Sequence, residues 1–192
     1  MNETKVGLRR DGPIAISEDC DVTLIPSGDR ATLRRGDRVV INQALGGSIT
    51  VQTDSGHLAR IAGSDAARLG LGYLITQPPS QPSPGDGWTF SLDQVTEQLK
   101  TVFDPEIPVN VVDLGLIYSC VAEQLADGTH RVEIKMSMTA PGCGMGDVLK
   151  VDAQQRVAAL PGVSDVDVEL IWDPPWDLSR MSDVARLELG MM

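Results

Sequence analysis

Apolar and polar positions change rhythm along this 192-residue chain, and each rhythm predicts a different kind of element. In residues 1–75 short apolar runs recur between turn signals. Val22-Thr23-Leu24-Ile25 meets Pro26-Ser27-Gly28-Asp29. Ala31-Thr32-Leu33 and Val39-Val40-Ile41 flank Gly36-Asp37. Ser48-Ile49-Thr50-Val51 follows Gly46-Gly47, and Asp54-Ser55-Gly56 leads into His57-Leu58-Ala59-Arg60-Ile61. Strands this short and this regularly spaced predict a compact all-β module, and five or six of them fit an SH3-like barrel. Residues 76–89 break the rhythm with Pro78, Pro79, Pro82 and Pro84 among Ser, Gln and Gly. This composition reads as a linker, spanning roughly 30–40 Å where it is extended.

The second half alternates longer periods. Leu92, Val95, Leu99 and Val102 recur at three- or four-residue spacing behind Ser91, which predicts a capped helix. Asp104-Pro105-Glu106-Ile107-Pro108 ends it, because proline breaks helix and biases its predecessor to extended forms. Val111 to Val121 is apolar enough for a buried strand, interrupted by Asp113 and Gly115. Val132, Ile134, Met136 and Met138 alternate with polar residues over His130–Met138, a half-buried strand. Asp147–Leu160 reads as a helix closed by Pro161-Gly162. Val166, Val168, Leu170 and Trp172 form a third alternating strand, and Ser182–Leu189 a short last helix. The expected fold is α+β. A small β module is followed by an α-β-β-α-β-α domain over residues 90–192, with a three-stranded mixed sheet. Its first two strands form a hairpin, and its second and third run parallel around a helix.

Charge narrows the partners. The formal net charge is −11, and it is uneven: residues 1–89 hold 9 basic and 10 acidic groups, residues 90–192 hold 7 and 17. Such a surface repels phosphate backbones and anionic lipid heads, so neither nucleic acid nor membrane is expected as a partner. No apolar run approaches membrane-spanning length, and Met1-Asn2-Glu3-Thr4-Lys5 lacks the apolar core of a signal peptide. The expected compartment is the cytoplasm. The three cysteines, at 20, 120 and 143, show no paired spacing, which argues against a disulfide scaffold or a zinc ribbon.

One stretch carries candidate chemistry: Met138-Thr139-Ala140-Pro141-Gly142-Cys143-Gly144-Met145-Gly146. It joins a predicted strand to a predicted helix. The first amides of a helix have no intrahelical partner, and with the helix dipole they favour negative charge. A thiol there loses its proton more readily, and the thiolate is the form that attacks electrophiles or binds metal. Set against this, a cysteine in a turn is often just a small residue that fits. Cys20 sits among acids, which raise a thiol pKa. Cys120 reads as a small strand residue of the core.

Asp104-Pro105-Glu106-Ile107, then Val112-Asp113-Leu114-Gly115-Leu116-Ile117-Tyr118, then Met138-Thr139-Ala140-Pro141-Gly142-Cys143 form a set in order. Together, over roughly residues 91–192, they resemble the PaaD-like domain of iron–sulfur cluster assembly factors. Asp19-Cys20, Leu24-Ile25-Pro26-Ser27-Gly28 and Gln43-Ala44-Leu45-Gly46-Gly47-Ser48 resemble the front module of the long SufT-type members. The resemblance implies no catalysed reaction. It implies a late role in maturing iron–sulfur proteins, binding or passing clusters to recipient apoproteins in concert with scaffold or carrier proteins. By the same resemblance Cys143 is the metal ligand, Asp104, Glu106 and Asp113 are the acidic site positions, and Cys20 is a weaker second candidate. The family often places Pro after the cysteine. Gly144 departs from this and is expected to loosen the helix start.

The residues alone reach less far. Iron–sulfur clusters usually take four cysteine ligands, so one site cysteine implies a cluster shared between two chains of a homo-oligomer, completed by other ligands, or held transiently. Asp104 can equally cap or terminate the helix, and Asp113 can satisfy turn amides. Two other classes compete. A cysteine-dependent acyl or sulfur transferase needs a general base beside the thiol. His57 and His130 are the only histidines, and His130 begins the strand whose far end leads to Cys143. A pure adaptor would dock recipients through its acidic surface without binding metal.

Overall fold

The computed structural model describes residues 12–69, 71, 89–140 and 144–191. The proline-rich stretch read as a linker and Cys143 itself lie outside them, apart from residue 89.

The front module is one six-stranded antiparallel sheet: β1 (Ile14–Ala15), β2 (Cys20–Ile25), β3 (Arg30–Leu33), β4 (Arg38–Leu45), β5 (Ser48–Thr53) and β6 (Leu58–Ala62). The strands lie in the order β1-β4-β5-β6-β2-β3. Strands alternate their side chains between two faces, so Val22, Val39, Ile49, Val51, Ala59 and Ile61 collect on the buried face as one core. The β4–β5 hairpin turns at Gly46-Gly47, with φ of 59° and 76°. A two-residue hairpin of this hand needs positive φ at both positions, which glycine supplies without steric cost. The expected SH3-like closure is not part of this ladder: among the described residues the outer strands β1 and β3 do not pair with each other. The module is also not purely β. Helix α1 (Gly63–Arg68) follows β6 directly and buries Ala66 against the sheet. It is too short to leave a periodic signal.

The second half follows the expected order. Helix α2 (Leu92–Leu99) starts at a full capping box: the Ser91 side chain accepts from the Gln94 amide, and the Gln94 side chain accepts from the Ser91 amide. Then come β7 (Ile117–Gln124), β8 (His130–Met136), α3 (Gly146–Ala158), β9 (Val163–Leu170), a 3-10 turn over Leu178–Arg180, and α4 (Asp183–Glu188), whose cap is Ser182. β7 pairs antiparallel with β8, and β8 pairs parallel with β9 across the α3 connection. Val132, Ile134 and Met136 of β8 and Val166 and Val168 of β9 face Leu149, Ala153 and Val157 of α3, with Val95 and Leu99 of α2 completing a second core. The two cores share no buried residue.

The expected strand Val111–Val121 is corrected in its first half. Strand β7 begins only at Ile117, and residues 110–116 form a turn. Val111, Leu114 and Leu116 are fully buried. Their apolar character reflects a turn folded into the core, not a strand. The side-chain oxygen of Asn110 accepts the amides of Val112 and Asp113 at 3.1 and 2.9 Å, so local polar bonding wins over extension. No helix among the described residues is long and apolar enough to cross a membrane.

Candidate functional site

Strand register decides which loops meet. Ile117 opens β7 and pairs with Met136, the last residue of β8, which in turn pairs with Leu170 at the end of β9. The turn 110–116 before β7, the cysteine loop after β8 and the segment after β9 therefore leave the sheet at one end. The link is direct: the Ser137 amide donates to the Leu116 carbonyl at 2.8 Å. Asp113 and the loop that carries Cys143 thus share an end of the sheet. His130 starts β8 at the other end, where its ring stacks on Phe90 at 4.1 Å.

The loop after α2 joins this end through a bridge between Phe103 and Asn110. Within it Asp104 is buried, with 4% of its surface exposed, and one carboxylate oxygen accepts the amides of Glu106 and Ile107 at 2.8 and 2.9 Å. Burial nevertheless pushes its carboxyl above the usual carboxylate range, the two amides only partly offsetting it. Glu106 is exposed; partial burial and the neighbouring Asp104 charge raise its carboxyl as well. So Asp104 shapes the loop after the helix and does not cap a helix. Asp113 accepts the Asn110 side-chain amide at 2.6 Å. The turn amides expected to bond to Asp113 are held by Asn110 instead.

Cys20 lies in the front core, only 4% exposed, with its thiol 3.5 Å from the Asp21 carbonyl. Cys120 sits half-buried in β7, and burial pushes its thiol pKa up. Among the described residues no group of three or more His, Cys, Asp or Glu side chains is placed to hold a metal ion.

Several residues that organise this end carry no signal in the sequence pattern. The Trp176 indole donates to the Leu114 carbonyl at 2.8 Å, the Arg180 guanidinium to the Gly115 carbonyl at 3.0 Å, and the Ser182 amide to the Asp113 carbonyl at 2.8 Å. The Arg180 guanidinium also lies 3.6 Å over the Tyr118 ring, a cation–π contact. The segment after β9 therefore ties down the Asp113 turn. Its contacts span more than 60 residues of sequence, so no local motif announces them.

The front module reaches the same end. Gln43 donates to the Asp104 carbonyl at 3.2 Å, and Thr50 to the Pro105 carbonyl at 3.4 Å. The Gly144 amide donates to the Pro26 carbonyl at 3.1 Å. Gly144 was expected to loosen the start of α3; in the structure it is held by this bond.

A family model described as "Iron-sulfur cluster assembly protein" matches residues 92–170. An Fe-S protein maturation auxiliary factor of Porphyromonas gingivalis is 42% identical over 100 residues, covering 52% of this chain and 91% of the relative. The factor YitW of Bacillus subtilis is 35% identical over 52% of this chain and 93% of its own, and SufT of Staphylococcus aureus 33% over 47% and 98%. The chain belongs to this family of iron–sulfur cluster assembly proteins. A solved domain of unknown function from Bacillus anthracis, 33% identical, covers 52% of this chain and 92% of that one with a TM-score of 0.48.

Proposed function

We propose that this protein is a maturation factor that binds iron–sulfur cargo transiently through Cys143 and helps deliver it to recipient apoproteins, with no turnover of its own. The observation that carries the reading is the strand register, which sends the Asp113 turn and the cysteine loop out of the same end of the sheet. Relatives named as maturation auxiliary factors and as iron–sulfur cluster carriers support it. Thiolate is the preferred ligand of such clusters. Asp104 and Asp113 already serve backbone and amide partners, so their role is to hold the loops in shape and set the local charge. Cys143 alone leaves the cargo under-ligated, and a second chain, a scaffold or carrier protein, or the recipient itself completes its ligands. Incomplete ligation suits a factor that must release what it carries. The cytoplasm, where thiols stay reduced, is the compartment this chemistry requires.

A Cys143–His130 enzyme is disfavoured by the same geometry. His130 stands at the opposite end of β8, roughly 20 Å along the strand by its rise per residue.

The decisive variant is Cys143→Ser. One atom changes, so stability should move by no more than about 1 kcal/mol. Complementation of iron–sulfur enzyme activity in a deletion strain should fall to the level of the deletion, because a hydroxyl is a poor substitute for thiolate at iron. Anaerobically purified wild type should show cluster absorption and Mössbauer signals that the variant lacks. Full complementation by Cys143→Ser at equal expression would make the chain an adaptor whose cysteine is incidental.

A further inference from the structure

The helices of the second half have the front module for company. The Arg60 guanidinium of β6 meets the Asp152 carboxylate of α3 at 2.7 Å, Arg156 meets the same carboxylate at 3.2 Å, and the Phe103 ring lies against Gly46. The mixed sheet instead ends on one side at β7, whose outer edge pairs with no strand among the described residues.

A free strand edge is a template for another chain, and proteins blunt such edges with short strands, charges or bulges. Among the described residues the other sheet edges are blunted. β1 is two residues long and β3 four, and β9 carries Asp165, Asp167 and Glu169 along its length. β7 is eight residues long, and Glu123 is its one charge. Its register shift, between Ile117 and Ser119, leaves 119–124 regular.

The ladder fixes which groups face outward. Leu125 donates to the Thr129 carbonyl at 2.8 Å, in the register that pairs Gln124 with His130. Mutually bonded pairs recur at every second residue of an antiparallel ladder. Ser119, Val121 and Glu123 therefore bond inward to β8. The backbone groups of Cys120, Ala122 and Gln124 point out of the sheet, and among the described residues no hydrogen bond takes them up. On the solvent face of this edge Val121 is 54% exposed, an apolar side chain between Ser119 and Glu123.

We propose that two copies of this chain pair through β7, antiparallel about a twofold axis at Val121. In that register Cys120 opposes Ala122, Ser119 opposes Glu123, and Val121 opposes its own counterpart. The outward amides and carbonyls of Cys120 and Ala122 then bond each other across the axis. The strand is self-complementary, as a twofold contact requires: its single charge faces a serine, and its exposed β-branched side chain faces itself, a favourable cross-strand pair. One strand pairing buries little area, so the dimer is weak and forms as concentration rises. The two strand starts, and with them the two Asp113 ends, stand about 26 Å apart at about 3.3 Å per residue. The two ends therefore act separately. The pairing stands on the edge alone and does not require Cys143 to be a ligand.

The test is sedimentation velocity of the full chain from low micromolar to near millimolar concentration. The expected result is a monomer that shifts to a dimer as concentration rises. Added salt should favour the dimer, because two chains of net charge −11 repel and salt screens them. Val121→Lys sets like charges directly opposite at an exposed position, so it should weaken association at least about fivefold with an unchanged thermal transition. Val121→Cys should form an interchain disulfide under mild oxidation. Opposed α-carbons in a pair without mutual hydrogen bonds lie about 4.5 Å apart, within disulfide reach. Glu133→Cys, on the same face but one strand further in, should not cross-link. Peptide mass spectrometry identifies the linked cysteine. A chain that stays monomeric throughout overturns the pairing. So does a dimer that survives Val121→Lys, or one whose Val121→Cys form does not cross-link, since the copies then meet elsewhere.

Discussion

The interior of each half and the seam between them are built from different materials. Inside, the second half buries Ile134, Met136, Leu149 and Val168 to near zero exposure, and the front half does the same with Ile49, Val51 and Ile61. Between them, among the described residues, lie hydrogen bonds, one carboxylate shared by two arginines, glycine backbone, and the Phe103 ring against Gly46. Apolar burial is non-directional and holds each half folded by area alone. Polar contacts are directional and nearly balanced by water, so they fix position at little net stability. The comparison teaches that this chain spends its hydrophobic residues on folding and its polar ones on arrangement.

Three measurements break or sharpen that contrast. Leu149→Ala removes a fully buried side chain from the second core and should cost about 2–5 kcal/mol by chemical denaturation. A cost near zero would mean that α3 is not held by its core. Cutting the seam should cost far less. Residues 90–192 expressed alone should keep a sharp, single thermal transition and dispersed amide signals, as expected of an autonomous domain of about 100 residues. A fragment without cooperative unfolding would show that the seam completes a shared core.

The smallest effect concerns Asp104, at the edge of the seam. Burial raises its folded-state pKa above the unfolded value, so the folded state binds more protons between those two values. Stability therefore falls as pH rises through that window, and the full cost is present above the raised value. Asp104→Asn keeps a side-chain oxygen for the amides of Glu106 and Ile107 and removes the charge. Its Tm should exceed wild type at pH 7, and the difference should vanish in acid below the ordinary carboxylate value. A lower Tm at pH 7 would show that the charge itself is stabilising.

Much of the fold was legible because it is local. Ser91 with the Leu92, Val95 and Leu99 spacing announces α2, the alternation from Val132 to Met136 announces β8, and Pro161-Gly162 marks the end of α3. The acidic positions were legible as a set, but not their partners. Asn110, not Asp113, bonds the turn amides, and a side-chain amide and a carboxylate three residues apart compete for the same donors. The apolar run at 111–116 looked like a strand because burial, not extension, makes residues apolar. Docking of the front module was illegible, because Arg60 and Asp152 are 92 residues apart and each alone is an ordinary charge.

The tie between residues 176–182 and the Asp113 turn has a consequence for synthesis. The turn at 110–116 leaves the ribosome well before Trp176, Arg180 and Ser182, whose bonds hold it. The parallel β8–β9 pairing waits similarly for Val163–Leu170, and such non-local pairing is slow to form. A nascent chain stopped before Trp176 can make the β7–β8 hairpin, but it has no fixed end of the sheet to present. Ordering of this end of the sheet is thereby tied to synthesis past Ser182. Until then the Asp113 turn lacks the three bonds that fix it.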